Sequence, residues 1–141
     1  MADRADIEKL VREAYAARVR DDLDGVCRLF SDDAKFQMAG ASHASPVALT
    51  SVGANQFRAV MSQMIKTFIL TDHTILSMLI DGAKVAVHWR AKVRSTVSGD
   101  TVVSEVVDLI EVRDGRIGSF TEFCDTALVA KLLGGQQALT A

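Results

Sequence analysis

The stretch "EVVDLIEVRDGRI", residues 105–117, alternates with a period of two and runs into a turn. Successive strand side chains point to opposite faces, so parity sorts them. Over residues 102–112 the even positions are Val102, Ser104, Val106, Asp108, Ile110 and Val112. The odd positions are Val103, Glu105, Val107, Leu109 and Glu111. The even face is the dry one, and Asp114-Gly115 after it is a hairpin signal. One residue breaks the pattern: Asp108 puts a carboxyl group in the middle of the dry face. A buried, ionised carboxylate costs several kcal/mol unless paired or hydrogen-bonded, so such a group tends to raise its pKa. Two readings follow. Asp108 is a structural acid held by a tyrosine hydroxyl, a serine or a helix N-terminus. Alternatively, it lines an apolar pocket and donates or shuttles a proton.

Working outward, residues 85–97 carry Val85, Val87, Trp89, Ala91, Val93, Ser95 and Val97 on the odd face. Lys84, His88, Arg90, Lys92 and Arg94 mark the even face as wet. Pairing the two strands through Ser98-Gly99-Asp100 places Asp108 on one face with Trp89 and Ala91. In "RIGSFTEFC" parity alone leaves open whether Phe120 and Glu122 or Ile117 and Phe123 face inward. With Asp81-Gly82 as a third turn, four strand-like runs form an antiparallel meander. Before it, Phe57, Val60, Met61, Met64, Ile65 and Phe68 recur at helical spacing. The first helix shows Ile7, Leu10, Val11, Ala14 and Arg18, with Asp3 or Asp6 as cap. A short second helix carries Leu23, Val26, Cys27 and Phe30, capped by Asp21 or Asp22. "AKFQM" reads as a strand, residues 40–52 as a loop, and "TALVAKLL" as a helix stopped by Gly134-Gly135. The fold class is α+β: one curved sheet with helices on one face.

Composition narrows the function. At 141 residues the chain is one domain with one core, and 49% apolar content argues against disorder. A net charge of −2 with mixed signs gives no basic stripe for nucleic acid. No apolar run approaches the roughly 18 residues of a membrane span. The N-terminus, "MADRADIEKLVREAY", is charged and helix-like rather than a signal peptide. Cys27 and Cys124 are read as unpaired, buried residues of a reducing, cytoplasmic compartment. No metal-ligand cluster, nucleotide loop or nucleophile motif appears, so no metal or cofactor is expected. His88 sits on the wet face and is read as surface or interface. His73 opens a strand near the expected pocket mouth, where a catalytic role is open. His43 falls in the 40–52 loop, a candidate lid. The charged outer face, interleaved with Val103, Val107 and Leu109, is either solvated or half of a dimer interface.

"RLFSDDAKFQMAG" and "VVDLIEVRDGRIGSFTEFCD" resemble the ketosteroid-isomerase-like superfamily. This cone-shaped, cystatin-like α+β fold is shared with SnoaL-like polyketide cyclases, limonene-epoxide hydrolase and nuclear transport factor two. The resemblance spans roughly residues 5–133 and specifies the fold better than the reaction. It implies a curved antiparallel sheet wrapped around a pocket, three N-terminal helices on its concave face, and a single SnoaL-like domain. Asp108 matches both the protonated oxyanion-hole aspartate of the isomerases and the acid–base aspartate of the cyclases. Glu122 matches an acid of the hydrolase, and Phe120 a pocket aromatic, which favours the even face. Tyr15 falls within one residue of the isomerase's oxyanion-hole tyrosine. The isomerase's base would fall at Met38, which takes no proton. The hydrolase's arginine and its partner aspartate would fall at Trp89 and Ala91, and its water-holding tyrosine and asparagine at Phe36 and Met38.

The expected site therefore has Asp108 and Glu122 as catalytic acids. Tyr15, Phe36, Met38, Met61, Trp89, Ala91, Phe120 and His73 would surround a small apolar molecule. The expected chemistry is cofactor-free isomerisation, cyclisation, dehydration or hydrolysis by proton transfer in a cytoplasmic homodimer. The alternative is a non-catalytic binding or dimeric accessory protein.

Overall fold

A computed structural model of the protein describes residues 3–40 and 48–134. Helix α1 (Arg4–Val19) starts where the Asp3 side chain accepts from the Asp6 N–H. Ile7, Val11, Ala14 and Tyr15 are buried at i, i+4, i+7 and i+8 and form one face, with buried Ala17 at its edge. Helix α2 (Leu23–Arg28) is capped by Asp22, which accepts from the Gly25 N–H. That cap demands glycine at position 25, because a Cβ there would stand 2.3 Å from an Asp22 carboxylate oxygen. Phe30, expected to close this helix, instead opens strand β1 (Phe30–Met38). The correction has a non-local cause: the Leu29 carbonyl accepts from the Ile117 N–H, so the sheet captures the chain here.

The 40–52 segment, expected to be loop throughout, contains strand β2 (Leu49–Val52). It pairs antiparallel with Lys35–Met38 of β1. Four residues without their partner give too weak a local signal. Residues 41–47, with His43 and most of the candidate lid, lie outside the described residues. Helix α3 (Ala54–Thr67) stops one residue before Phe68, which begins β3 (Phe68–Asp81). Strands β4 (Lys84–Ser95), β5 (Thr101–Arg113) and β6 (Arg116–Phe123) complete the meander through the three expected turns. Helix α4 (Thr126–Leu132) is tied to β4 by the Ser95 hydroxyl, which donates to the Leu132 carbonyl.

Among the described residues six strands run in the order β2-β1-β6-β5-β4-β3. The β3–β6 meander and the β1–β2 pair are antiparallel, but β1 and β6 are parallel. The sheet is thus mixed, which corrects the all-antiparallel expectation, and it is curved and unclosed. Helix α1 lies against β3, α2 against β1, and α3 against β1, β2 and β3.

Parity holds along β4 and β5: from Ser104 to Val112 every even residue is buried and every odd residue exposed. In β6 the ambiguity resolves physically. A register shift lies between the pairs Glu111–Ser119 and Val112–Ile117, so Gly118 is extra. Ile117 faces inward before it, and Phe120 faces inward after it. The core centres on stacked rings: Phe30 on Phe57 at 4.1 Å and Phe36 on Phe120 at 5.5 Å between centroids.

Candidate functional site

Asp108 is completely buried on the inner face of β5. Two donors reach the same oxygen. The Tyr15 hydroxyl, from α1, donates to Asp108 Oδ2 at 2.5 Å. The Trp89 indole N–H, from β4, donates to that oxygen at 2.7 Å. The register explains the second bond: Asp108 faces Val87, and Trp89 lies two residues further along the same face. The other oxygen, Oδ1, is buried with no hydrogen-bond partner. Directly across the β5–β6 pair stands Glu122.

Burial first, and the charge of Glu122 second, push the Asp108 carboxyl well above the ordinary carboxylate range. The Tyr15 and Trp89 donors pull the other way but do not win. Glu122 is also raised by burial, while Asp108 and the Arg18 guanidinium hold it down. Two neighbouring carboxyls in a dry place share one proton more readily than they carry two charges. Asp108 is the member that keeps the proton. Since Oδ2 is occupied by donors, the proton belongs on Oδ1. Tyr15 is driven well above its usual value by burial and by Asp108, so its hydroxyl stays a donor.

The inner face encloses a cavity of about 90 Å³, room for several waters, between the sheet, α1 and α3. Its wall is apolar apart from Tyr15, Arg18, Ser104, Glu122 and the Trp89 and Cys124 side chains. Of the expected residues, Tyr15, Phe36, Met38, Met61, Trp89, Phe120 and Glu122 line it together. Three do not. Asp108 sits behind the wall, covered by its own hydrogen-bond partners Tyr15 and Trp89. Ala91 is buried beside Ser104, which takes the place on the wall. His73 lies at a register shift in β3, next to Asp72 with its left-handed φ of 51°. Its ring stacks on Tyr15 at 5.3 Å and tilts against Trp89 at 5.0 Å, so it buttresses them from outside the cavity. Burial and Arg18 lower its pKa, which keeps the imidazole neutral.

Sequence reasoning missed Arg18. Its spacing makes it the last turn of an amphipathic helix, yet its side chain is only 12% exposed and reaches the cavity. The i, i+3 spacing from Tyr15 was the available signal. Cys124 also faces the cavity, and burial pushes its thiol up to about 12, so it is no nucleophile at neutral pH. Both cysteines are free and half-buried. His88 lies on the outer face and pairs with Glu105 at 2.7 Å. Among the described residues no cluster of three or more His, Cys, Asp or Glu could hold a metal ion. No helix among them is long and apolar enough to cross a membrane.

Residues 11–120 match the family model of the SnoaL-like domain. The chain belongs to that family. A comparison with curated proteins finds no match for this SnoaL-like domain. Solved structures of the same fold include a Bacillus subtilis protein assigned as an isomerase. It is 19% identical, with a TM-score of 0.85 over 97% of this chain and 99% of that one. A nuclear-transport-factor-two-like protein of unknown function from Burkholderia pseudomallei is 20% identical, with a TM-score of 0.78 over 94% and 98%. A limonene-epoxide-hydrolase-like epoxide hydrolase of M. tuberculosis is 21% identical, with a TM-score of 0.72 over 93% and 91%. At these identities the likeness establishes the fold of the SnoaL-like domain, and its chemistry has to come from the site.

The proton on Asp108 has a thermodynamic signature. The folded chain binds that proton more tightly than the unfolded chain, where the carboxyl returns to about 3.8. Stability therefore falls as pH rises above about 4, with a slope of up to ~1.4 kcal/mol per pH unit for one proton. Asp108→Asn keeps an acceptor for Tyr15 and Trp89 and removes the titration. Thermal unfolding between pH 4 and 8 should show a flatter slope for the variant, with Glu122 supplying what remains. An unchanged slope would mean Asp108 is not the protonated group.

Proposed function

We propose that this SnoaL-like domain is a small, cofactor-free enzyme that moves a proton on an apolar, carbonyl-bearing molecule. The reaction class is isomerisation, cyclisation or dehydration. The observation that carries the reading is the pairing of Glu122, on the cavity wall, with Asp108 behind it. Glu122 is the group that touches the substrate and accepts or returns the proton. Its raised pKa suits a base working near neutral pH. Asp108 acts through it, as a proton reservoir and a brake on its charge. Tyr15 keeps a neutral hydroxyl on the same wall, donating to Asp108 behind it. Trp89, Phe36, Met38 and Phe120 give the cavity its apolar shape.

A second reading, a binder without chemistry, is favoured by one observation. The polar groups that would hold a hydrolytic water in the resembling hydrolase fall on Phe36, Met38, Trp89 and Ala91, none of which can hold it. Epoxide hydrolysis by that mechanism is therefore not part of this proposal.

The outer sheet face supports a homodimer as part of the same proposal. Leu79, Val107, Leu109 and Phe123 are exposed there. Leu79 reaches Leu109 through Ala86, and Val107 pairs with Phe123, so the four form one island. The free cysteines fit a cytoplasmic home.

Solvent-exchange mass spectrometry in D2O with 2-tetralone and cyclohex-2-enone tests the chemistry. Wild type should exchange the α-protons catalytically, Glu122→Gln should lose about 100-fold or more, and Asp108→Asn about tenfold. Ligand-induced stabilisation with no exchange would leave the binder reading in its place. Sedimentation velocity should show a dimer for wild type and a monomer for Leu109→Lys; a monomeric wild type at tens of µM would remove the dimer.

A further inference from the structure

We infer that the cavity is built for a ligand carrying one anionic oxygen, a carboxylate, enolate or phenolate, which docks on the Nη1 atom of Arg18. The inference deepens the proposed function by naming the substrate class, and it rests on that reading of the cavity.

Arg18 is a buried cation on an apolar wall. Its Nη2 atom donates to two carbonyls, Phe68 at 2.8 Å and Met64 at 3.3 Å. These bonds fix the guanidinium at the end of α3, and neither uses its other arm. Nη1 is buried without a hydrogen-bond partner. Its ion-pair partner, the half-exposed Asp21, has Oδ1 3.8 Å away, beyond hydrogen-bond reach. An unpaired donor on a buried charge is costly, and the cost is removed when a charged acceptor arrives. Burial lowers the pKa of the guanidinium, and the carboxylates of Glu122 and Asp21 only partly oppose it. Glu122 feels Arg18 electrostatically, and both line the same cavity.

The geometry gives a polarity to the cavity. Arg18, on α1, is held at the end of α3, and Glu122 stands on β6, in a wall that is otherwise mostly apolar. A molecule held by an oxygen at Arg18 presents its hydrocarbon body to Phe36, Met38 and Phe120 and its α-carbon toward Glu122. Where the held oxygen is a carbonyl oxygen, Glu122 takes the α-proton, a C=C bond forms, and the carbonyl π pair moves onto that oxygen, which becomes the single anion held by Arg18; the anionic ligands resemble that product. The proton goes to the Glu122 carboxylate and the electron pair to the ligand oxygen, and nothing is oxidised or reduced.

Trp89 is the one tryptophan in the chain and stands on the cavity wall, so its fluorescence reports occupancy. The probes are benzoate and 2-naphthoate, each beside its uncharged primary amide. In wild type at pH 6 each carboxylate should bind at least tenfold more tightly than its amide. Arg18→Met should erase that preference while leaving amide affinity within about twofold. Arg18→Lys, which keeps charge but not the fork, should retain part of it. Glu122→Gln should tighten carboxylate binding by relieving repulsion. Equal affinity of acid and amide in wild type overturns the inference and leaves the proposed proton transfer standing. A preference that survives in a folded Arg18→Met also overturns it. The wild-type comparison decides even if that variant fails to fold. No binding of any probe at millimolar concentration overturns both readings.

Discussion

One oxygen atom organises the interior. Asp108 Oδ2 receives the Tyr15 hydroxyl from α1 and the Trp89 indole from β4, so a single carboxyl ties the first helix to the middle of the sheet. The arrangement depends on a carboxyl group kept neutral. A charged Asp108 would be a buried anion beside a second acid, and its two neutral donors would not offset the loss of water. A neutral Asp108 accepts both bonds on Oδ2 and carries its proton on Oδ1. The rings that surround it follow from this. Tyr15 and Trp89 are held by their polar ends, and His73 packs across both.

That junction divides the labour among the polar groups. Asp108 is structural in its contacts and electrostatic in its effect, because it sets the charge that Glu122 can hold. Glu122 and Arg18 are the carboxyl and the guanidinium that meet the cavity. They lie on a mostly apolar wall, where a charge on a ligand is felt strongly. The same fold with different residues at these few places would carry different chemistry.

Much of the fold was legible because its strands alternate strictly. The wet and dry faces of β4 and β5, the three turns and the third helix all follow from local pattern, and burial agrees residue by residue. What failed was non-local. Phe30 was drawn from a helix into a strand by the β6 backbone, and β2 exists only because β1 offers it an edge. The parallel β1–β6 pair has no signature in either strand alone. The site was legible to the same depth. Asp108 stood out as an acid on a dry face, but parity gives a face and no depth, so it could not say that Tyr15 and Trp89 cover it. Arg18 looked like an ordinary last-turn cation, since the cavity it reaches is made by α3 and β6, far away in sequence.

The most direct test of the account is a carboxyl-carbon NMR titration of Asp108 and Glu122 in the folded protein. The account predicts a coupled pair that binds one proton through neutral pH, with Asp108 protonated and its signal responding to the ionisation of Glu122. If both carboxyls are ionised by pH 6 and titrate independently near the model-peptide values of about 4, the neutral acid at the centre of the structure does not exist.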